Sequence, residues 1–219
     1  MIPILFITNQ SFSKTLTVLE IDTGVDSTSH PEIRSHINMS NWDKLPDYQD
    51  FHGHGTHIAG ILLKDTCKEV ELTSCKYFDL SHPDNSMWNT INCFKRALTQ
   101  HFDVINYSSG GSAYSDDEIK ILKQIKSIIV VAAGNDNQDL SWNNYYPASY
   151  RLPNVIAVGN LDGNKKSSTS NYGLPGMVWE QGTFITSTFP GGRFGIMSGS
   201  SQATALHSNK LLKEMCEKK

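Results

Sequence analysis

The sequence predicts an α/β fold, a three-layer α/β/α sandwich around a mainly parallel central sheet. Short runs rich in Val and Ile recur along its 219 residues. Segments of helical periodicity lie between several of them, the alternation that right-handed crossovers and a doubly covered parallel sheet produce. Polar residues follow directly on three of the runs (Asp22, Ser108 and Asn135), at the carboxyl ends of strands where such sheets gather their functional loops.

Taken in order, "LTVLEI" (16–21) reads as the first strand and ends in Asp22. "HGTHIAG" opens an apolar helix in which Gly55 and Gly60 permit close packing. "VELTSCKYF" (70–78) is the second strand, and Met87, Ile91, Phe94 and Leu98, three or four apart, mark one face of a helix after it. "DVINYS" (103–108) is the third strand. The helix that follows starts at a capping box, Ser115 with Glu118 three residues on, and carries Ile119, Leu122 and Ile125 on one face. "SIIVVAAG" (127–134) and "NVIAVGN" (154–160) are further strands, and the small-residue stretch Ser198–Ala205 runs into a helical segment with Leu206, Lys210 and Leu211. No repeat, low-complexity tract or linker interrupts this pattern, so residues 1–219 read as a single domain with short stretches outside the first and last motifs.

A net charge of −3, mixed in sign along the chain, gives no electrostatic footprint for nucleic acid or an anionic membrane, and neither is expected as a partner. The opening "MIPILFITNQ" has neither a basic segment before its apolar run nor a small-residue cleavage site after it, so no secretory signal is expected. No run approaches the roughly 18 apolar residues of a membrane span. Cys67, Cys75, Cys93 and Cys216 form no C-x-x-C pair and a core of this size does without disulfides, so all four are expected as reduced thiols in a cytoplasmic protein.

Two constellations carry chemistry. "VLEIDTGVD" (18–26) holds an Asp-Thr-Gly that can open an aspartic-protease site, a triad or a plain turn, but no second D-[TS]-G follows to complete an internal carboxylate dyad. "FHGHGTHIAGILL" places His52, His54 and His57 before an apolar helix. Their spacing approximates a metal cluster of the metallo-β-lactamase kind, except that Thr56 stands where that cluster has Asp. The alternatives are incidental histidines at a helix start, or one imidazole acting as general base with Asp22 fixing its tautomer. In the last motif Ser198, Ser200 and Ser201 lie near a helix start, where free N–H groups favour an oxyanion, and composition alone does not say which is the nucleophile.

From about Thr15 onward the chain resembles the subtilisin-like serine proteases. "VLEIDTGVD" is similar to their Asp motif, "HGHGTHIAGIL" to their His motif and "SGSSQATA" to their Ser motif, with "VINYSSGG", "VVAAGNDN", "YPASY" with "VIAVGN", and "STFPGGRFG" as landmarks between, in the family's order. The resemblance implies a serine endopeptidase with Ser201 as nucleophile, His54 as base, Asp22 as its orienting carboxylate and Asn135 as oxyanion-hole donor. It implies that Ser108, Ser109 and Gly110 pair with an extended substrate, that Ala133 and Gly134 wall a side-chain pocket, and that Tyr145 partly fills its base. The partner it implies is a protein or peptide substrate, and no cofactor enters the chemistry.

Glu32 lies near a position where relatives ligate calcium, but the remaining ligands fall on segments that are short here, so a structural calcium is not favoured. Ala205 and Leu206 replace the Pro and His usual after the nucleophile, and little chain follows Ser201. Those departures leave room for a regulatory partner chain or a dimer. They also keep open an alternative, a latent or inactive fold of this type that binds a peptide or partner protein.

Overall fold

The computed structural model describes residues 14–37, 49–78 and 80–218. In chain order the elements are β1 (Leu16–Asp22), α1 (Pro31–Arg34), α2 (His54–Leu63), β2 (Val70–Lys76), α3 (Ser86–Thr99), β3 (Val104–Tyr107), α4 (Asp116–Leu122), β4 (Ile128–Ala132) and β5 (Val155–Asp162). They continue with β6 (Lys165–Lys166), β7 (Val178–Gln181), β8 (Ile185–Phe189), β9 (Arg193–Met197) and α5 (Ser200–Glu217). All five Val/Ile-rich runs form strands.

The main sheet has the order β2-β1-β3-β4-β5-β6, with β7 also pairing β5; every pairing but β5 with β6 is parallel. β8 and β9 form a separate antiparallel hairpin. Alternation along β1 divides the core. Leu16 and Val18 face a cluster with Ile58 and Leu62 of α2 and Ala203 and Leu212 of α5. Leu19 and Ile21 face a second cluster with Phe94 of α3 and Leu122 of α4. This is the three-layer sandwich predicted, and the period-two pattern of a strand buried on both faces is what builds it.

Three expectations need correction. The cysteines are not free thiols: Cys67 pairs with Cys216 and Cys75 with Cys93. Tied to β2 through Cys93, α3 buries Thr90, Cys93 and Phe94, while Met87 and Leu98 stand at the surface, so its inward face is rotated from the one that periodicity selected. α4 ends at Leu122, and Ile125 is buried from the turn beyond it.

The sheet positions the site through two helices. α2 starts beside the end of β1, and α5 starts beside the ends of β3 and β4. They pack side by side, fastened where Asn209 Nδ2 donates to the carbonyls of Leu62 and Lys64 at 2.9 Å each. A Cβ on Gly55 would overlap the Gly24 carbonyl, and one on Gly60 would overlap Thr188 and Ser187. The two glycines thus let α2 close against the β1 turn on one side and β8 on the other.

Candidate active site

Asp22, at the last position of β1, is buried. Its Oδ1 accepts from the Thr23 N–H at 2.8 Å and lies 2.7 Å from His54 Nδ1. That bond places the Nδ1 proton toward Asp22 and leaves Nε2 as the basic atom. Burial alone would disfavour an imidazolium here, but the charge of Asp22, its hydrogen bond and the charge of Asp50 outweigh it and hold His54 above the ordinary histidine value.

Asp50 is the functional residue that sequence reasoning missed. It is buried beneath the start of α2, and its Oδ1 accepts from the N–H groups of His52 (3.0 Å) and Gly53 (2.7 Å) and from Thr23 Oγ1 (3.0 Å). Its Oδ2 accepts from the Thr56 N–H (2.8 Å) and Thr56 Oγ1 (2.7 Å). Thr23 Oγ1 in turn accepts from Gly55 N–H at 2.9 Å. One carboxylate therefore satisfies several of the orphan donors of this helix start and ties the His54 turn to the Asp22 turn. The signal was present as an acidic residue just ahead of a helix start.

The other histidines do not converge with His54. His57 is buried with Nε2 3.0 Å from the Ile185 carbonyl and 3.2 Å from that of Gly195, fastening α2 to the β8–β9 hairpin. Burial pushes its pKa down. His52 stands edge-on to both His54 and Phe78. Among the described residues no group of three or more His, Cys, Asp or Glu side chains is placed to hold a metal ion, and His54 and His57 turn to different partners, Asp22 and the β8–β9 hairpin. Glu32 stands exposed on α1, its carboxylate 3.1 Å from His30 Nδ1.

Ser201 occupies the first turn of α5. Its hydroxyl donates to the Ser108 carbonyl at 2.8 Å and is not bonded to His54, while the Ser108 hydroxyl donates to the Ser201 carbonyl at 2.9 Å. Ser200, one residue earlier, is fully buried: its Oγ accepts from the Gly134 N–H (3.1 Å) and its carbonyl accepts from Thr204 Oγ1 (2.7 Å). Of the neighbouring serines, Ser200 is a fastener between α5 and the β4 loop, and Ser201 is the one left partly open.

Asn135 is exposed just beyond β4, with Oδ1 accepting from the Ser200 N–H at 2.8 Å. That bond fixes the amide so that its Nδ2 is the free end. Asn171 holds the loop in place, its Oδ1 accepting from Asp136 and Gln138 N–H groups and its Nδ2 donating to the Ala133 carbonyl. Ala133 and Gly134 are both buried.

Ser108, Ser109 and Gly110 follow β3 and belong to no strand; pairing resumes at Gly111, whose N–H donates to the Tyr146 carbonyl at 2.9 Å. A Cβ at Gly110 would run into the Tyr145 ring, and so would one at Gly134. Tyr145 therefore lies between the two segments, filling the space that their glycines leave. Burial, with Asp136 nearby, pushes the Tyr145 hydroxyl up to about 12, so it stays neutral.

A profile described as the Subtilase family matches residues 13–214. The chain is 35% identical over 202 residues to subtilisin amylosacchariticus of Bacillus subtilis subsp. amylosacchariticus, a match covering 85% of this chain and 52% of that protein. Subtilisin of Bacillus pumilus is also 35% identical over 202 residues, covering 85% of this chain and 72% of that one. The crystal structure of a cold adapted subtilisin-like serine proteinase superposes with a TM-score of 0.77 at 25% identity, covering 93% of this chain and 76% of that one. The chain spans about half the length of the first of these relatives. With sheet order, motif order and sequence profile in agreement, it belongs to the subtilase family.

Proposed function

We propose that the chain is a serine endopeptidase in which Ser201 attacks the scissile carbonyl, His54 takes and returns the proton, Asp22 orients His54, and Asn135 stabilises the oxyanion. The observation that carries this reading is the 2.7 Å bond from His54 Nδ1 to a buried Asp22, next to a serine at a helix start with an anchored asparagine amide beside it. The Ser201 hydroxyl turns from the Ser108 carbonyl toward His54 Nε2 when substrate enters, since catalytic hydrogen bonds in unliganded enzymes often tighten only in the complex. Its proton then passes to His54, the acyl-enzyme forms, the amine leaves with that proton, and water repeats the sequence. Developing charge on the carbonyl oxygen is met by Asn135 Nδ2 and the Ser201 N–H.

Ser108 to Gly110, which join no strand beyond β3, pair with an extended protein or peptide substrate in this reading. A regulatory partner or second copy acting at the same segment is compatible with this reading. With both cysteine pairs oxidised the cytoplasmic expectation loses its thiol argument, and we place the working protein in an oxidising compartment.

The Ser108-bound hydroxyl also favours a second reading, a site that stays latent until a partner or peptide releases Ser201. A fluorophosphonate probe separates the two. Labelling on Ser201 that both Ser201→Ala and His54→Ala abolish supports the enzyme, whereas a folded wild type that takes no label supports latency.

A further inference from the structure

Beside Ser109 and Gly110 opens a cavity of about 310 Å³, lined by Tyr77, Met87, Tyr107, Ser109, Tyr146 and Glu118. Among the described residues no basic side chain lines it, and Glu118 is the one carboxylate that does. The Glu118 side chain is buried, at 2% exposure. In an ordinary capping box its carboxylate would reach back to the Ser115 N–H. Here that N–H donates instead to Tyr150 Oη at 3.0 Å, and Tyr150 Oη also contacts Glu118 Oε2 at 2.8 Å. The cap keeps only its other half, the Glu118 N–H donating to Ser115 Oγ at 3.2 Å. The carboxylate has been drawn off its helix to line the cavity, with Oε2 held by the Tyr150 hydroxyl.

A carboxylate this buried, with Oε2 held by a neutral hydroxyl and no cation lining the cavity among the described residues, costs free energy, and burial accordingly pushes Glu118 above the usual carboxylate range. A side chain with a long apolar stem and a cationic head relieves that cost. The stem lies along Met87 and the tyrosine rings, and the head meets Glu118, with the ring faces contributing a further attraction. The cavity opens from the same backbone segment whose first residue, Ser108, is bonded to Ser201. We infer that this cavity is a specificity pocket for a lysine or arginine of the substrate, several residues away from the scissile bond, with Glu118 as its determinant. The inference rests on the endopeptidase reading above.

The test uses the whole chain and a panel built on one neutral fluorogenic peptide, with Lys walked through each position on both sides of the cleaved bond and Met, similar in reach but uncharged, as comparator. At one position kcat/KM for Lys is expected to exceed that for Met by about tenfold or more, the factor that goes with a charge-assisted hydrogen bond. Glu118→Gln should bring the Lys/Met ratio at that position toward one, whatever common loss of rate it brings. Met87→Lys, which lends the pocket an ammonium from a half-exposed site, should lower the same ratio if Glu118→Gln does not fold. Cleavage of the panel with no position favouring Lys, or a preference that both variants leave intact, overturns the pocket and leaves the endopeptidase standing. If none of the peptides is cut, the endopeptidase reading fails and the pocket fails with it.

Discussion

At the residue scale, the proton affinity of His54 is a balance between burial, which lowers it, and Asp22, which raises it. General-base work needs the neutral imidazole, so the acidic limb of kcat/KM should lie above the ordinary histidine value of about 6.5. Asp22→Asn removes the raising charge and leaves burial, so the limb should move to lower pH while kcat falls by about 10⁴, the order found for subtilisin's own aspartate. A pH–rate profile of the two forms checks both directions. Glu20 is a different kind of residue: it shares a face of β1 with Asp22, is fully buried, and neither of its oxygens has a hydrogen-bond partner among the described residues. Burial first, then the charges of Asp22 and Asp50, push its pKa well up. The folded state therefore keeps a proton that the unfolded chain loses above about pH 4–5, and stability falls as pH rises. Glu20→Gln removes that dependence, so its Tm should gain on the wild type between pH 4.5 and 7, by about 3–5 °C for each tenfold in retained proton affinity. A Tm gap unchanged with pH would refute this. Asp22, His54, Ser201 and Asn135 were legible because short motifs fix them. Glu20 was not, because a charged letter inside "LTVLEI" looks like any solvent-facing strand position until neighbouring strands cover both faces.

At the scale of elements, strands were easier to read than helix faces. A strand buried on both sides shows itself as a continuous apolar run, whereas the inward face of α3 depends on where the Cys75–Cys93 bond holds it. The Ser115 cap was legible, but Tyr150, thirty-odd positions along the chain, enters it as a third member that no local pattern reveals. Asp50 shows the same limit. Its place before α2 suggests a cap, yet its bond to Thr23, which joins the two halves of the site, exists only in the fold. Asp50→Ala strips the carboxylate from three backbone N–H groups and two hydroxyls at once. Destabilisation of about 2–4 kcal/mol is expected, beyond the ~1 kcal/mol of an ordinary cap, because the donors left behind on Thr23, Gly53 and Thr56 are buried. Activity should fall further than stability explains, since the His54 turn is no longer held to Asp22. Urea unfolding together with kcat at a temperature where the variant is fully folded separates the two effects, and a cost near 1 kcal/mol with unchanged kcat would count against the clasp.

At the scale of the whole molecule, the cysteines were misread because pairing is a property of the assembled layers. Cys67, after α2, meets Cys216, at the end of α5, across a sequence separation of 149, while Cys75 and Cys93 are 18 apart. Neither spacing forms a motif. The long bridge closes nearly the whole domain, linking the two helices that carry His54 and Ser201. Restricting an unfolded loop of that size is worth about 5 kcal/mol in the chain-entropy account, against about 3 kcal/mol for the short one. Cys67 and Cys216 are half-buried and Cys75 and Cys93 are buried, so the long bridge is also the one a reductant reaches first. Mild reductant should therefore lower the Tm by about 10–20 °C while Cys75–Cys93 remains intact by mass spectrometry. Cys67→Ala/Cys216→Ala should reproduce that Tm without reductant and show no further loss when reductant is added. Because α2 and α5 are separately fastened through Asn209, the folded variant should keep its kcat at low temperature and lose it only as the new, lower transition is approached. A variant that is inactive while still folded would mean instead that the bridge sets the geometry between His54 and Ser201, and that the domain depends on it for function as well as for stability.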